Sequence, residues 1–364
     1  MPYLDANATE PLRPEAGLAM RAAFDLTGNP SSIHAAGRAV RRIVEDARER
    51  LATRFGGRAE DLVFVSGGTE ADALAIAALG RGRRVIIGAT EHDAVRAAAP
   101  DAQVIPVDRD GVADLDALGR MLTQGGPALV SLMLANNETG VIHPIRAAAD
   151  LCRTYGALLH VDAAQGAGRL DCTDLRTLGC HALTISSHKL GGPVGVGALV
   201  VTPELSHFPA LLAGGGQERG RRAGTLPSPL IAGFAAAAGH AMTELAPLRD
   251  AADRAAIAEG AIVCGAGAPR LPNTTCLALP GVRADTQVIA LDLDGVAVSA
   301  GAACSSGKVG TSHVLAAMGM GALAGQAIRV SLPWNSTGAD IDAFIAAYRR
   351  MADRLRPPVA RDAA

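Results

Sequence analysis

Lys189 stands in the run Ser186-Ser187-His188-Lys189, followed by Leu190-Gly191-Gly192-Pro193-Val194-Gly195-Val196-Gly197. The apolar run 182–185 ends just before it and predicts a strand that delivers the lysine into a glycine-rich turn. A lysine placed beside histidine and hydroxyls can lose its proton and form a Schiff base, the anchor a pyridoxal phosphate enzyme needs. The plainer reading is a solvated lysine after a strand. A ring partner, a phosphate cradle and a second reactive group elsewhere in the chain would separate the two.

Candidates for each are present. Ser66-Gly67-Gly68-Thr69-Glu70 follows an apolar run and opens a helical pattern, so Gly68 and Thr69 can offer backbone N–H groups and a helix N-terminus to a phosphate. An ordinary helix cap explains the same residues. His160-Val161-Asp162-Ala163-Ala164-Gln165 closes another apolar run; a carboxylate emerging there needs a cation, which a pyridinium nitrogen supplies, although Asp162 also suits a helix N-cap. His92, in Thr90-Glu91-His92, can stack on a ring or shuttle a proton, or serve only as a structural hydrogen-bonding group. Asn136-Asn137-Glu138 ends a further run. Cys304 lies in Ser299-Ala300-Gly301-Ala302-Ala303-Cys304-Ser305-Ser306-Gly307-Lys308, a stretch of small residues that predicts an accessible thiol, with Lys308 to lower its pKa. Arg329 sits in the run 328–332 as a clamp for a carboxylate, or as a sheet-edge arginine.

The elements that must position these groups follow from periodicity. Apolar runs at 62–66, 84–88, 128–135, 158–162, 182–186 and 197–202 alternate with helical patterns at 33–55, 69–79, 115–122 and 145–155. Strands that are apolar throughout, with helices between them, predict an α/β fold whose mostly parallel sheet is covered on both faces. Ligands of such sheets bind beyond the carboxyl ends of the strands, where each cluster above falls. After Thr225 an alanine-rich helix from 229 to about 245 leads into a smaller α+β region with strands at 275–279, 296–299 and 328–332 and a last helix at 339–355. The expected division is a large domain at 13–245 and a small one built from 1–12 and 246–364.

Composition narrows the function classes. A net charge of −2 and an aromatic content of 3% give no basic surface and few stacking platforms, so nucleic acid is not expected as a partner. No signal peptide and no membrane-spanning apolar run is expected. The six cysteines show no C-x-x-C spacing, which points to reduced thiols in the cytoplasm, with Cys152, Cys172 and Cys276 as buried filler.

Taken in order, the motifs carry a family resemblance. Leu4-Asp5-Ala6-Asn7-Ala8-Thr9, Asn29-Pro30-Ser31-Ser32-Ile33-His34, Ser66-Gly67-Gly68-Thr69-Glu70-Ala71, Asn136-Asn137-Glu138-Thr139-Gly140, Val161-Asp162-Ala163-Ala164-Gln165 and Ser187-His188-Lys189 come first. Gly214-Gly215-Gly216-Gln217-Glu218 with Arg222-Ala223-Gly224-Thr225, and then the Cys304 stretch, follow. From near residue 3 to near residue 338 the chain resembles the cysteine desulfurases, the NifS/IscS-like branch of the fold-type I pyridoxal phosphate enzymes.

The resemblance implies a pyridoxal 5'-phosphate transferase fold and conversion of L-cysteine to L-alanine, with the sulfur passing to Cys304 as a persulfide. Lys189 would carry the cofactor and Asp162 its ring nitrogen; His92 would stack on the ring, and Gln165 and Asn137 would hold the ring hydroxyl side and the substrate. Gly68, Thr69, Ser186 and His188 would hold the phosphate, with Thr225 reaching in from the second subunit of a homodimer. Arg329 and Asn7 would bind the substrate carboxylate. A sulfur-acceptor protein, such as an iron–sulfur scaffold, would be the partner. Selenocysteine lyase or another β-eliminating enzyme is the neighbouring alternative, and a non-catalytic sulfur-transfer scaffold the distant one. The chain departs from the family pattern at Ala6, where asparagine is common, at His143, where glutamine is frequent, and at Val194, where lysine is usual.

Overall fold

The apolar runs of the first two hundred residues form one sheet. In the computed structural model, which describes residues 1–171, 173–240, 244–301 and 311–355, its strands are β1 (Leu62–Val65), β2 (Arg84–Gly88), β3 (Gln103–Ile105), β4 (Ala128–Ser131), β5 (Leu158–Asp162), β6 (Ala182–Ser186) and β7 (Gly197–Val201). Their order is β1-β7-β6-β5-β4-β2-β3. Neighbours from β6 through β5, β4 and β2 to β3 pair in parallel, and β7 alone runs against both of its neighbours, β1 and β6. Every residue of β1, β4, β6 and β7 is buried, as strands covered on both faces must be.

Several elements differ from the sequence pattern: the helix expected from 229 to about 245 ends at Ala238, the strand expected at 296–299 is only Ser299–Ala300, and two more carry little mark in the sequence. β3 has only three residues at the sheet edge, with Val104 49% exposed, so no apolar run marks it. Helix Pro14–Phe24 buries only Ala16 and Ala23 and therefore shows no apolar stripe, although its N-terminal proline is well suited to a first turn.

Alternation along the strands builds two cores. Leu62 and Phe64 face Val44 and Leu51 of helix Ala35–Arg54, Phe55 just past its end, and Phe234 of helix Ser228–Ala238. Val63 and Val65 face Leu74, Ala75 and Leu79 of helix Gly68–Leu79. A second, antiparallel sheet has the order β10-β11-β9-β8, with β8 (Ile262–Val263), β9 (Thr274–Ala278), β10 (Ser299–Ala300) and β11 (Ala327–Ser331). Helices Ala246–Ala258, Ala284–Leu293 and Gly338–Leu355 supply its core, where Phe344, Tyr348 and Met351 are fully buried.

Residues 3–10 lie against both sheets. Tyr3 bridges to Ala297 and Asp5 to Ser331, Leu4 enters the second core, and the Glu10 N–H donates to the His188 carbonyl at 2.9 Å. Beyond it, Glu10 pairs with Arg169 at 3.2 Å in a fully buried ion pair.

Glu218 and Arg219 are the non-glycine residues with positive φ among the described residues, at 49° and 58°. Glu218 is held there by two bonds from Arg48, at 2.9 and 2.6 Å, and by the Phe64 N–H at 2.8 Å, with the Arg48 guanidinium 4.7 Å above the Phe64 ring. Arg48→Met leaves the Glu218 charge buried and unmatched. We expect it to cost about 3–5 kcal/mol in urea unfolding, whereas Arg153→Met, which breaks the exposed pair with Asp150, should cost under about 1 kcal/mol.

Candidate active site

Because only β7 is reversed, the carboxyl ends of β1, β2, β4, β5 and β6 open on one edge of the sheet, around a pocket of about 350 Å³. At the end of β1, the Ser66–Gly68 turn packs on the start of β7. A Cβ on Gly197 would stand 2.8 Å from the Ile185 carbonyl and 2.9 Å from the Gly67 backbone, so this approach requires glycine. Among the described residues no side chain caps helix Gly68–Leu79. Glu70 instead accepts from the Ser66 N–H at 2.7 Å and pairs with Arg222 at 2.7 Å. The twelve-residue helix therefore turns its uncapped N-terminus, Gly68 and Thr69, to the pocket beside Ser186.

On the opposite wall, β6 ends in a single 3₁₀ turn, Ser187–Lys189, which turns the lysine back across the strand ends. Lys189 Nζ donates to the carbonyls of Asn7 at 2.5 Å and Ala8 at 2.9 Å. Asp162, the last residue of β5, is buried; burial raises its pKa, while the Ala164 N–H at 2.8 Å, His92 and Lys189 act in the other direction. His92 caps helix Asp93–Ala98 by accepting from the Ala94 N–H through Nδ1 at 3.1 Å. His188 meets the Thr9 hydroxyl through Nδ1 at 3.1 Å; burial, then Lys189 and Arg169, lower its pKa to about 4, and it is neutral near pH 7.

Arg329 comes from β11, an inner strand of the second sheet, and so is not an edge residue. It is buried, bonds Asp5 at 2.7 Å and the Asn137 carbonyl at 3.1 Å, and its Nε has no hydrogen-bond partner among the described residues. Asn7 spends its side-chain amide on the Asn137 carbonyl and the Thr274 hydroxyl, both at 3.0 Å. Gln165 donates to the Asn7 carbonyl at 3.0 Å and accepts from Arg169.

All the candidate residues from the sequence line this one pocket except two. Thr225 is exposed and outside it, and Cys304, like Lys308 and Cys172, lies outside the described residues. A more open groove beside Arg81 and Pro209 gathers none of these groups. The described cysteines, Cys152, Cys180, Cys264 and Cys276, are buried and unpaired by disulfides. Burial pushes the thiols of Cys152 and Cys180 up to about 12, which keeps both protonated near neutral pH. The sequence pattern missed Asp72, a buried pocket residue on helix Gly68–Leu79. The available signal was a lone carboxylate four residues after Gly68, one turn along the face that opens on the strand ends.

These residues fit pyridoxal phosphate. An uncapped helix N-terminus suits the phosphate, a buried carboxylate at a strand end suits a protonated ring nitrogen, and the lysine lies in the same pocket. Residues 2–344 match the family described as Aminotransferase class-V, and the chain belongs to that family. Within it the chain is similar to proteins named as cysteine desulfurases. The chain is 40% identical over 377 residues to the cysteine desulfurase of Cereibacter sphaeroides, covering 97% of this chain and 96% of that one. It is 37% identical over 373 residues to the IscS-like cysteine desulfurase of Mycobacterium tuberculosis, covering 95% and 94%. Among solved structures, a NifS-like protein from Rickettsia africae superposes with a TM-score of 0.87 at 33% identity over 97% of this chain and 99% of that one. Among the described residues no helix is long and apolar enough to cross a membrane, and no group of His, Cys, Asp and Glu could hold a metal ion.

His143, one of the departures from the family pattern, supports the wall from behind. Its Nδ1 accepts from the Ala113 N–H and its Nε2 meets the Thr90 hydroxyl, both at 3.3 Å. Burial lowers its pKa to about 4. The unfolded chain, with a histidine pKa near 6.5, then binds more protons than the folded one between about pH 6.5 and 4. His143 therefore withdraws stability as pH falls through that window, by roughly 2 kcal/mol at pH 5. His143→Gln should gain on the wild type by about that amount between pH 7.5 and pH 5, as read from urea unfolding at the two values.

Proposed function

We propose that the chain is a cysteine desulfurase that takes sulfur from L-cysteine onto Cys304 as a persulfide and releases L-alanine. Pyridoxal 5'-phosphate would be its cofactor. The observation that carries this reading is the convergence of Asp162 from β5, Lys189 from the turn after β6 and Arg329 from β11 on one pocket. When bound, the cofactor supplies a carbonyl for the substrate amine and an electron-withdrawing ring that stabilises negative charge at Cα.

Gly68 and Thr69 at the helix N-terminus, with Ser186 and His188, would hold the phosphate. Asp162 would keep the ring nitrogen protonated, His92 would cover the ring face, and Gln165 and Asn137 would hold the ring hydroxyl side and the substrate. Arg329, fixed by Asp5 and Asn137, would take the substrate carboxylate, with Asn7 completing that wall. Lys189 would move the proton at Cα; the Asn7 and Ala8 carbonyls can accept from its ammonium once it is protonated. The Cys304 thiolate would then attack the substrate sulfur. The S–S bond forms as Cβ–S breaks, so L-cysteine and a thiol give L-alanine and a persulfide with nothing left over.

In a homodimer Thr225, which is exposed and outside the pocket of its own chain, would enter the neighbouring site. The persulfide would serve a sulfur-acceptor protein in iron–sulfur or other sulfur assembly in the cytoplasm. Residues 13–245 would act as the large domain, and 1–12 with 246–364 as the small one.

Two variants test the reading. With L-cysteine, the wild type should form alanine and sulfide in equal amounts under a reductant. Lys189→Ala should lose roughly 10²–10⁴-fold in rate. Cys304→Ala should still change the cofactor spectrum on adding cysteine yet form no protein persulfide. Full-rate sulfide release by Cys304→Ala would remove Cys304 from the reaction.

A further inference from the structure

Three carboxyl groups are buried near one another at the pocket, and the reaction uses one of them. Asp162 comes from β5, Asp72 from helix Gly68–Leu79, and Glu91 from the segment after β2. Glu91 accepts from the Met133 N–H at 2.8 Å with one oxygen, and its other oxygen has no partner among the described residues. Asp72 lines the pocket, is 2% exposed, and has its Oδ1 likewise without a hydrogen bond, 3.7 Å from His160 Nε2. The groups facing it are Asp162, Glu91 and His160, with His92 and Lys189 across Asp162. His160 cannot neutralise Asp72: it is wholly buried, and burial lowers its pKa to about 3. Its Nδ1 meets the Ser131 hydroxyl and its Nε2 the Thr184 hydroxyl, both at 2.9 Å, and the Thr184 hydroxyl in turn bonds Asp72. A neutral, hydrogen-bonded chain thus runs from Asp72 under β6 and β5 to β4.

We propose that Asp72 is a positioning residue that stays a neutral carboxylic acid, anchored through Thr184 and His160, so that Asp162 is the one ionised carboxylate presented to the cofactor's ring nitrogen. Two like charges in so dry a site repel, and the one that faces a cation keeps its charge. The burial of Asp72 and its nearness to Asp162 raise its pKa in the direction this requires. The inference rests on the cofactor reading above and adds a residue that the reading leaves without a role.

The test uses the holoenzyme with Asp72→Asn, which copies a neutral acid, and Asp72→Leu, which keeps bulk and loses the hydrogen bond. We expect the Asn variant to lose the infrared band of one protonated carboxyl. It should retain pyridoxal phosphate within about twofold of wild type and leave the pH midpoint of the lysine-bound cofactor's absorbance unmoved. The Leu variant should bind the cofactor about tenfold more weakly in equilibrium dialysis, the loss expected when one buried hydrogen bond is removed. A downward shift of about one unit in the Asn variant's midpoint would mean that a negative charge had been removed, and would overturn the proposal. So would a Leu variant that behaves as wild type, or an infrared band unchanged by Asn. A wild-type protein that binds no pyridoxal phosphate would defeat the broader reading, while the infrared comparison would still decide the protonation of Asp72.

Discussion

Residues 3–10 are the joint on which the pocket depends. Their backbone pairs with Ala297 and Ser331 on the side of the second sheet and with His188 on the side of the first. The Asn7 side chain reaches Thr274 of β9 and the Asn137 carbonyl, and its own carbonyl takes Lys189 and Gln165. Asp5 fixes Arg329. The lysine of one sheet and the arginine of the other are thus both measured from the same short segment. The same short segment both holds the sheets together and places the chemistry, so little of it can change without moving the site.

A second constraint is electrical. The carboxyl edge of the sheet holds Asp72, Glu91 and Asp162 in buried positions, and the nearby histidines His143, His160 and His188 are neutral near pH 7. An ionised carboxylate there is costly unless a cation meets it. The helix N-terminus at Gly68 sets the opposite preference a turn away, favouring an anion. A ligand that carries a phosphate at one end and a protonatable nitrogen at the other satisfies both demands at once, which is a sharper criterion than either feature alone.

Most of this was legible in the sequence where burial is complete. β2, β5 and β6 begin and end where their apolar runs do, and helix Leu115–Leu122 matches its periodicity from end to end. The runs 62–66 and 197–202 lose one residue each, and 128–135 shortens to Ala128–Ser131, although Leu132 and Leu134 still donate to the His160 and Asp162 carbonyls before the Asn136–Gly140 turn. Hidden were the elements held by tertiary contact: edge strand β3, helix Pro14–Phe24, and the double attachment of residues 3–10, whose partners are far off in the chain. Glu70 shows the limit for the site. Its spacing from Ser66 and Thr69 suggests a cap, yet its carboxylate reaches the Ser66 N–H and Arg222, 152 residues away, which only the fold brings near. Asp72 stayed invisible because one carboxylate in a helix reads as a solvent-facing residue until the helix is laid on the sheet.

The joint at residues 3–10 also sets an order of events. Asn7 and Asp5 pair with Ser331 and Arg329, 324 residues further along the chain. During synthesis the seven strands of the first sheet can be complete by residue 201, and its cores by residue 238, while the N-terminal segment still has no counterpart in the second sheet. Contacts so distant in sequence form last, after loop closure has been met by packing elsewhere. The cavity between helix Gly68–Leu79 and Lys189 is then open on one side until β11 emerges, so capture of a small molecule in it belongs to the end of folding, once almost the whole chain is made.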